Sequence, residues 1–201
     1  MEKSAVYLDT KERLLAVGEE LIRVRGFTAL GLSEILSSAK VPKGSFYHYF
    51  QSKEGFGVAL LERYFSDYDR RLATLFADVG MSGVDARIRI MGYFDLWRSI
   101  SAESNGCIPI CLAVKLAAEV ADLSEPMRCA LESGMGRITF HLTGVIRQAQ
   151  AEGSVSLTVD ASEFAEILYS MWLGASLLSK VKHSLLPFDL VYKQTASMLQ
   201  L

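Results

Sequence analysis

Apolar residues recur at intervals of three and four along almost the whole chain, while alternating strand patterns are scarce. This periodicity is interrupted by only four prolines in 201 residues. It restricts the chain to packed helices, an all-α fold. Half of the residues are hydrophobic and 22% are charged, enough to bury a sizeable core beneath a soluble surface. The formal net charge is −2, so any binding to phosphate must rest on a local patch rather than on the whole molecule. No internal repeat or low-complexity segment breaks the pattern.

Residues 1–55 read as a compact unit. Asp9 is placed to cap a first helix, with Glu12 reaching back from the third position. Leu14, Leu15, Gly18, Leu21 and Ile22 line one face, and Gly26 ends it. A short second helix carries Leu32, Ile35, Leu36 and Ala39. A third begins at Pro42, which has no amide hydrogen to leave unsatisfied in a first turn. Ser52 caps a fourth, with Lys53 and Glu54 in its first turn. Two short helices joined by a tight turn and braced by a longer one form a helix-turn-helix. On the third helix Phe46, Tyr49 and Phe50 face the bundle core, whereas Lys43, Ser45, Tyr47 and His48 fall on other sides, free for a groove.

Residues 56–201 form a larger helical body. Helices are expected from Lys53 to about Ala77, from Val84 to Ile100, and through Val120 after a kinked entry at "SNGCIPIC". Another starts at Ser124, with Pro126 in its first turn, and ends at "AEGS". Asp160 to Lys182 and Pro187 to Gln200 close the chain. Phe94, Trp97, Phe140, Met171 and Trp172 are expected in the core. Phe164, Leu168, Met171, Ala175 and Leu178 make one seam, extended by Ile167, Gly174 and Val181. A helix apolar nearly all round is buried nearly all round, which predicts a two-fold dimer through 160–200.

The three histidines, 48, 141 and 183, lie far apart and no HExxH or paired CxxC spacing occurs, so no metal site is expected. "GMG" at 134–136 lacks the rest of a dinucleotide fingerprint and reads as a close helix contact. There is no G-x-S-x-G elbow, and no cofactor is implied. Three cysteines, 107, 111 and 129, are not a disulfide framework and fit a reducing compartment. The N-terminus has no apolar signal region, and the longest uncharged run, Ile167 to Ser179, is too short to span a bilayer. These features place the protein in the cytoplasm. Cys107 and Cys111 bracket Pro109. Cys111 is the better sensor, because Lys115 follows one turn later and a helix start lies nearby, both favouring thiolate. The rival reading is an all-helical cytosolic enzyme with an active-site thiol.

The stretch "GLSEILSSAKVPKGSFYHYFQSKEGF", residues 31–56, resembles the DNA-binding signature of the TetR family of bacterial transcriptional regulators. "CLAVKLAAEVADLSEPMR", with "LYSMWLGASLLSK", resembles the branch of that family responsive to N-ethylmaleimide. The resemblance implies a helix-turn-helix domain over 1–55 and a helical effector-binding and dimerisation domain over 56–201. It implies a non-enzymatic repressor whose partners are palindromic operator DNA, a second copy of itself and a small effector. The thiols make a thiol-reactive electrophile the candidate effector. By position, Ser33 would start the support helix facing DNA. Pro42, Lys43, Gly44, Ser45, Tyr47 and His48 would lie on the recognition helix, and Lys53 would meet a phosphate. Cys111, Lys115 and Cys107 would carry the sensing, with Trp97 and Lys180 beside them. Two positions depart from the family pattern: Lys40 stands where a turn glycine is usual, and Pro42 replaces a serine or threonine.

Overall fold

The computed structural model describes residues 2–77, 85–102, 111–156, 158 and 160–199, with side chains from residue 10 onward. These residues form nine helices and no strand. The first, α1 (Glu2–Arg25), starts seven residues earlier than the expected cap at Asp9. No glycine or proline lies between Glu2 and Asp9 to stop the helix, so Asp9 falls inside it rather than at its start. Gly26 ends α1 in the left-handed region, at φ 88°, and its amide donates to the Ile22 carbonyl.

Helix α2 (Leu32–Ala39) ends at Lys40, which takes φ 53° where a glycine would be unstrained. The strain is held by two hydrogen bonds from the Lys40 amide to the Leu36 and Ser37 carbonyls. Helix α3 (Lys43–Tyr49) follows, with Pro42 one residue outside it in an extended conformation. Ser52 caps α4 (Lys53–Phe76), its Oγ accepting from the Gly55 amide at 2.9 Å. Beyond these lie α5 (Ala86–Ala102), α6 (Leu112–Val120), α7 (Glu125–Ala151), α8 (Ala161–Lys182) and α9 (Leu186–Met198). Ser124 accepts from the Met127 amide at the start of α7, and Asp160 accepts from the Ser162 and Glu163 amides at the start of α8. The kinked entry to α6 and the expected start at Val84 lie outside the described residues.

The chain divides into two compact units, and neither is a continuous segment. The first comprises 1–67 with 115–134; the second comprises 68–114 with 135–201. A cut after residue 55 would fall in the first turn of α4. In the first unit, Phe46, Phe50 and Phe56 pack ring against ring, with centroids 5.1 to 5.6 Å apart. Gly18 lets α1 approach this cluster, since a Cβ there would run into the Phe56 ring. Gly134 does the same against Phe65, as the close-contact reading of "GMG" expects, whereas Gly136 faces open space. Arg63 joins α4 to α1 through Glu12 and Glu19.

The second unit is centred on Trp172, which is fully buried. Its indole stacks on Phe94 at 4.5 Å and donates to Thr195 Oγ1 at 3.0 Å, tying α8 to α5 and α9. Two expectations are corrected here. Phe140 is 75% exposed and is not core. The apolar seam is also rotated: Phe164, Leu168 and Ala175 are buried within the unit itself. Ile167, Leu178 and Val181 are left exposed on the opposite side of α8. A helix of this composition has two apolar faces, and α5 and α9 occupy one of them.

Candidate DNA interface and thiol site

The third helix is built as an anchored blade. Phe46 and Phe50 are buried and Tyr49 is half-buried, which fixes the rotation of α3. That rotation leaves Lys43, Gly44, Tyr47 and His48 exposed, at positions one, two, five and six of the helix. Tyr47 is 48% exposed, held edge-on to Phe46 with centroids 5.6 Å apart. Gly44 has nothing within 4 Å of where a Cβ would sit, so no neighbour in the chain explains a glycine there. Ser33, in the first turn of α2, and Pro42 are exposed as well, and Ser45 is half-buried.

Lys53 is placed differently from an outward-reaching phosphate contact. Its ammonium lies 4.8 Å over the Phe27 ring and donates to the Thr28 carbonyl at 3.3 Å. Partial burial lowers its pKa below the ordinary lysine value, against the pull of the Glu119 carboxylate. Lys53 therefore braces the turn between α1 and α2. Glu119 grips the same turn: one carboxylate oxygen accepts from the Phe27 amide at 2.6 Å and from the Thr28 amide at 3.2 Å. Lys115, one turn earlier on α6, donates to the carbonyls of Arg23 and Val24 at 2.8 and 3.2 Å. These carbonyls belong to the last turn of α1, whose orphan acceptors favour a cation. The ammonium expected beside the Cys111 thiol is thus committed to the end of α1.

Cys111 sits immediately before α6, half-buried, and its amide donates to Ser176 Oγ on α8 at 3.5 Å. Around it stand three tyrosines of the second unit. The hydroxyls of Tyr68 and Tyr93 share a hydrogen bond of 2.8 Å, and Trp97 also hydrogen-bonds Tyr68. Tyr68, Tyr93 and Tyr169 all have pKa values raised well above that of free tyrosine, first by burial. In each case the charge of a Cys111 thiolate adds to the rise, so all three phenols stay protonated donors. Lys180 is exposed, one turn beyond Ser176. Cys129 is exposed, and its hydrogen bond to Glu125 is the first cause holding its thiol above the usual range, which disfavours thiolate. Cys107 lies outside the described residues.

Sequence reasoning missed Glu119 as an anchor of the α1–α2 turn and the tyrosine cluster around Cys111. Glu119 pairs with amides 91 and 92 residues away, and no spacing rule reaches that far. The cluster left a fainter trace. Tyr169, Trp172, Ser176 and Ser179 recur at three, four and three, a buried stripe with a polar group at every step. Among the described residues no group of histidine, cysteine and carboxylate side chains is placed to hold a metal ion. Among the same residues no helix is long and apolar enough to cross a membrane.

Residues 14–66 match the family described as bacterial regulatory proteins, tetR family. Residues 86–195 match the tetracyclin repressor-like C-terminal domain. The chain is 43% identical to the HTH-type transcriptional repressor NemR of Escherichia coli K12, over 90% of this chain and 89% of that protein. It is 33% identical to the transcriptional regulator AcuR of Cereibacter sphaeroides, over 85% of this chain and 76% of that one. A crystal structure of reduced E. coli NemR matches with a TM-score of 0.88 and 41% identity, over 94% of this chain and 96% of that one. A regulatory protein TetR from Rhodobacter sphaeroides matches with a TM-score of 0.82 and 30% identity, over 93% and 97%.

Proposed function

This chain belongs to the TetR family of bacterial transcriptional regulators, and we propose that it is a cytoplasmic, dimeric repressor released from a palindromic operator by modification of Cys111. The observation that carries the reading is the exposed face of α3, whose rotation is set by buried aromatics on its other side. Lys43 supplies charge for phosphate; Tyr47 and His48 supply ring edges and polar atoms for base edges. Gly44 leaves room for close approach to the sugar-phosphate backbone. Ser33 and Pro42 flank this face, and Ser45 lies at its margin. Lys53 fixes the α1–α2 turn through the Thr28 carbonyl and the Phe27 ring.

A single α3 reads too few base pairs for specificity, so two copies related by a two-fold axis would read successive major grooves. The face left open on α8, with Ile167, Gly174, Leu178 and Val181, supports such an interface. Exposed Leu186 and Leu190 extend it onto α9. The sensing step is supported by the place of Cys111 in the chain. It stands at the start of α6, the helix whose first turn carries Lys115 on the end of α1 and whose last turn carries Glu119 on the turn that follows. A bulky or polar adduct at the start of this helix would bias it between two arrangements, each of which holds the α1–α2 turn differently. The exposed Lys180 is placed near the end of the α8 face that Ser176 and Cys111 share.

The reading is tested by binding to the DNA just upstream of the chain's own gene, with unrelated DNA as competitor. It expects protection of a palindrome by a dimer. Equal affinity for both DNAs at physiological salt would overturn it.

A further inference from the structure

Tyr169 raises a question that the DNA-binding role does not answer. Its residue is 3% exposed, yet its hydroxyl has no hydrogen-bond partner among the described residues. Ser179 Oγ, three turns further along the same stripe of α8, is fully buried and equally without one. Between them Ser176 Oγ is buried and, among the described residues, accepts from the Cys111 amide at the long distance of 3.5 Å. An orphaned buried hydroxyl costs stability, and a ligand or a water that reached it would complete its hydrogen bonding. The walls nearby are flat and apolar: Trp97 and Trp172 stand edge to face with centroids 6.1 Å apart, and Phe94 stacks on Trp172.

We infer that the Tyr169 hydroxyl is the donor that binds and polarises the carbonyl oxygen of a conjugated electrophile attacked by Cys111, so that the site selects enones and quinones over other thiol reagents. This rests on the reading of Cys111 as the sensor. In the step, the Cys111 thiol gives its proton to water, and the thiolate forms a carbon–sulfur bond at the β-carbon. The carbon–carbon π pair moves toward the carbonyl, and negative charge gathers on its oxygen. A phenol kept protonated by burial and by the neighbouring thiolate is a donor that stays in place as that charge develops. The enolate then takes a proton from water at the α-carbon, and neither oxidant nor reductant is needed. Tyr68 and Tyr93 share a hydrogen bond, whereas the Tyr169 hydroxyl has none among the described residues.

The test compares alkylation rates of Cys111, read by peptide mass, for wild type and Tyr169→Phe. One reagent is N-ethylmaleimide, a conjugated carbonyl; the other is methyl methanethiosulfonate, which has no carbonyl. The expected result is a maleimide rate lowered about tenfold or more in the variant, the worth of one hydrogen bond, with the thiosulfonate rate unchanged. The variant should melt no lower than wild type, because it loses a hydroxyl with nothing to bond. An unchanged maleimide rate, an equal fall with both reagents, or a lower melting temperature would overturn the inference while leaving Cys111 reactive. Failure of wild-type Cys111 to react with either reagent would instead overturn the sensor reading, and the inference with it.

Discussion

The side chains of α3 divide by what surrounds them, and substitutions should divide the same way. Phe46 is fully buried against Phe50 and Phe56, so Phe46→Ala should cost about 3–5 kcal/mol of stability. Tyr47, half exposed, should tolerate alanine in a thermal melt yet lose operator affinity. Gly44→Ala is the sharper probe. A Cβ meets nothing in the chain, and alanine favours a helix over glycine by about 1 kcal/mol. The variant should melt no lower than wild type, so any loss of affinity in a binding titration reports a contact made by DNA. Glu119→Ala should act through the α1–α2 turn. Leaving the Phe27 and Thr28 amides without an acceptor costs about 1–3 kcal/mol, read as a lower denaturation midpoint. Glu119→Gln, which keeps an acceptor oxygen, should recover part of that loss.

Helices were legible wherever period and punctuation agreed. Ser52 and Ser124 each accept the amide hydrogen bonds that their positions before apolar runs suggest. Asp9 shows the limit: an acidic residue ahead of a periodic run looks the same whether the helix begins there or a few residues earlier. The seam on α8 shows another. Period locates apolar faces but does not say which one the chain's own helices cover. Trp172 decides it, through its stack on Phe94 and its bond to Thr195. Leu178→Glu together with Val181→Glu should therefore leave the fold intact and give a monomeric mass by light scattering. Phe164→Glu should unfold the second unit instead, because Phe164 is buried within it. On α7, Gly134→Ala should destabilise by about 1–3 kcal/mol by forcing a methyl against Phe65. Gly136→Ala, in open space, should stabilise slightly, and thermal melts of the pair check the contact directly.

At the scale of the whole molecule, a net charge of −2 means that the proposed attraction to DNA would depend on local cations rather than on a general field. If a dimer neutralises roughly half a dozen phosphates, operator affinity should fall by about three orders of magnitude from 50 to 200 mM salt. The anchored helix proposed to read DNA was legible from 26 contiguous residues, 31–56, because its buried and exposed groups alternate on one short helix. The surroundings of the proposed sensor were legible only in part. Cys111 stands out by its neighbours in sequence, but its environment is assembled from α4, α5 and α8, and the Lys115 chosen as its partner serves α1 instead. The central claim is that chemistry at this one thiol controls DNA binding. It is tested most directly by fluorescence anisotropy of the labelled operator with wild type and Cys111→Ser, before and after a stoichiometric maleimide. The account predicts equal affinities before treatment, then a loss of about a hundredfold for wild type, which corresponds to roughly 3 kcal/mol, with Cys111→Ser unaffected. Equal release of both proteins, or retention of the operator by wild type fully alkylated at Cys111, would contradict it.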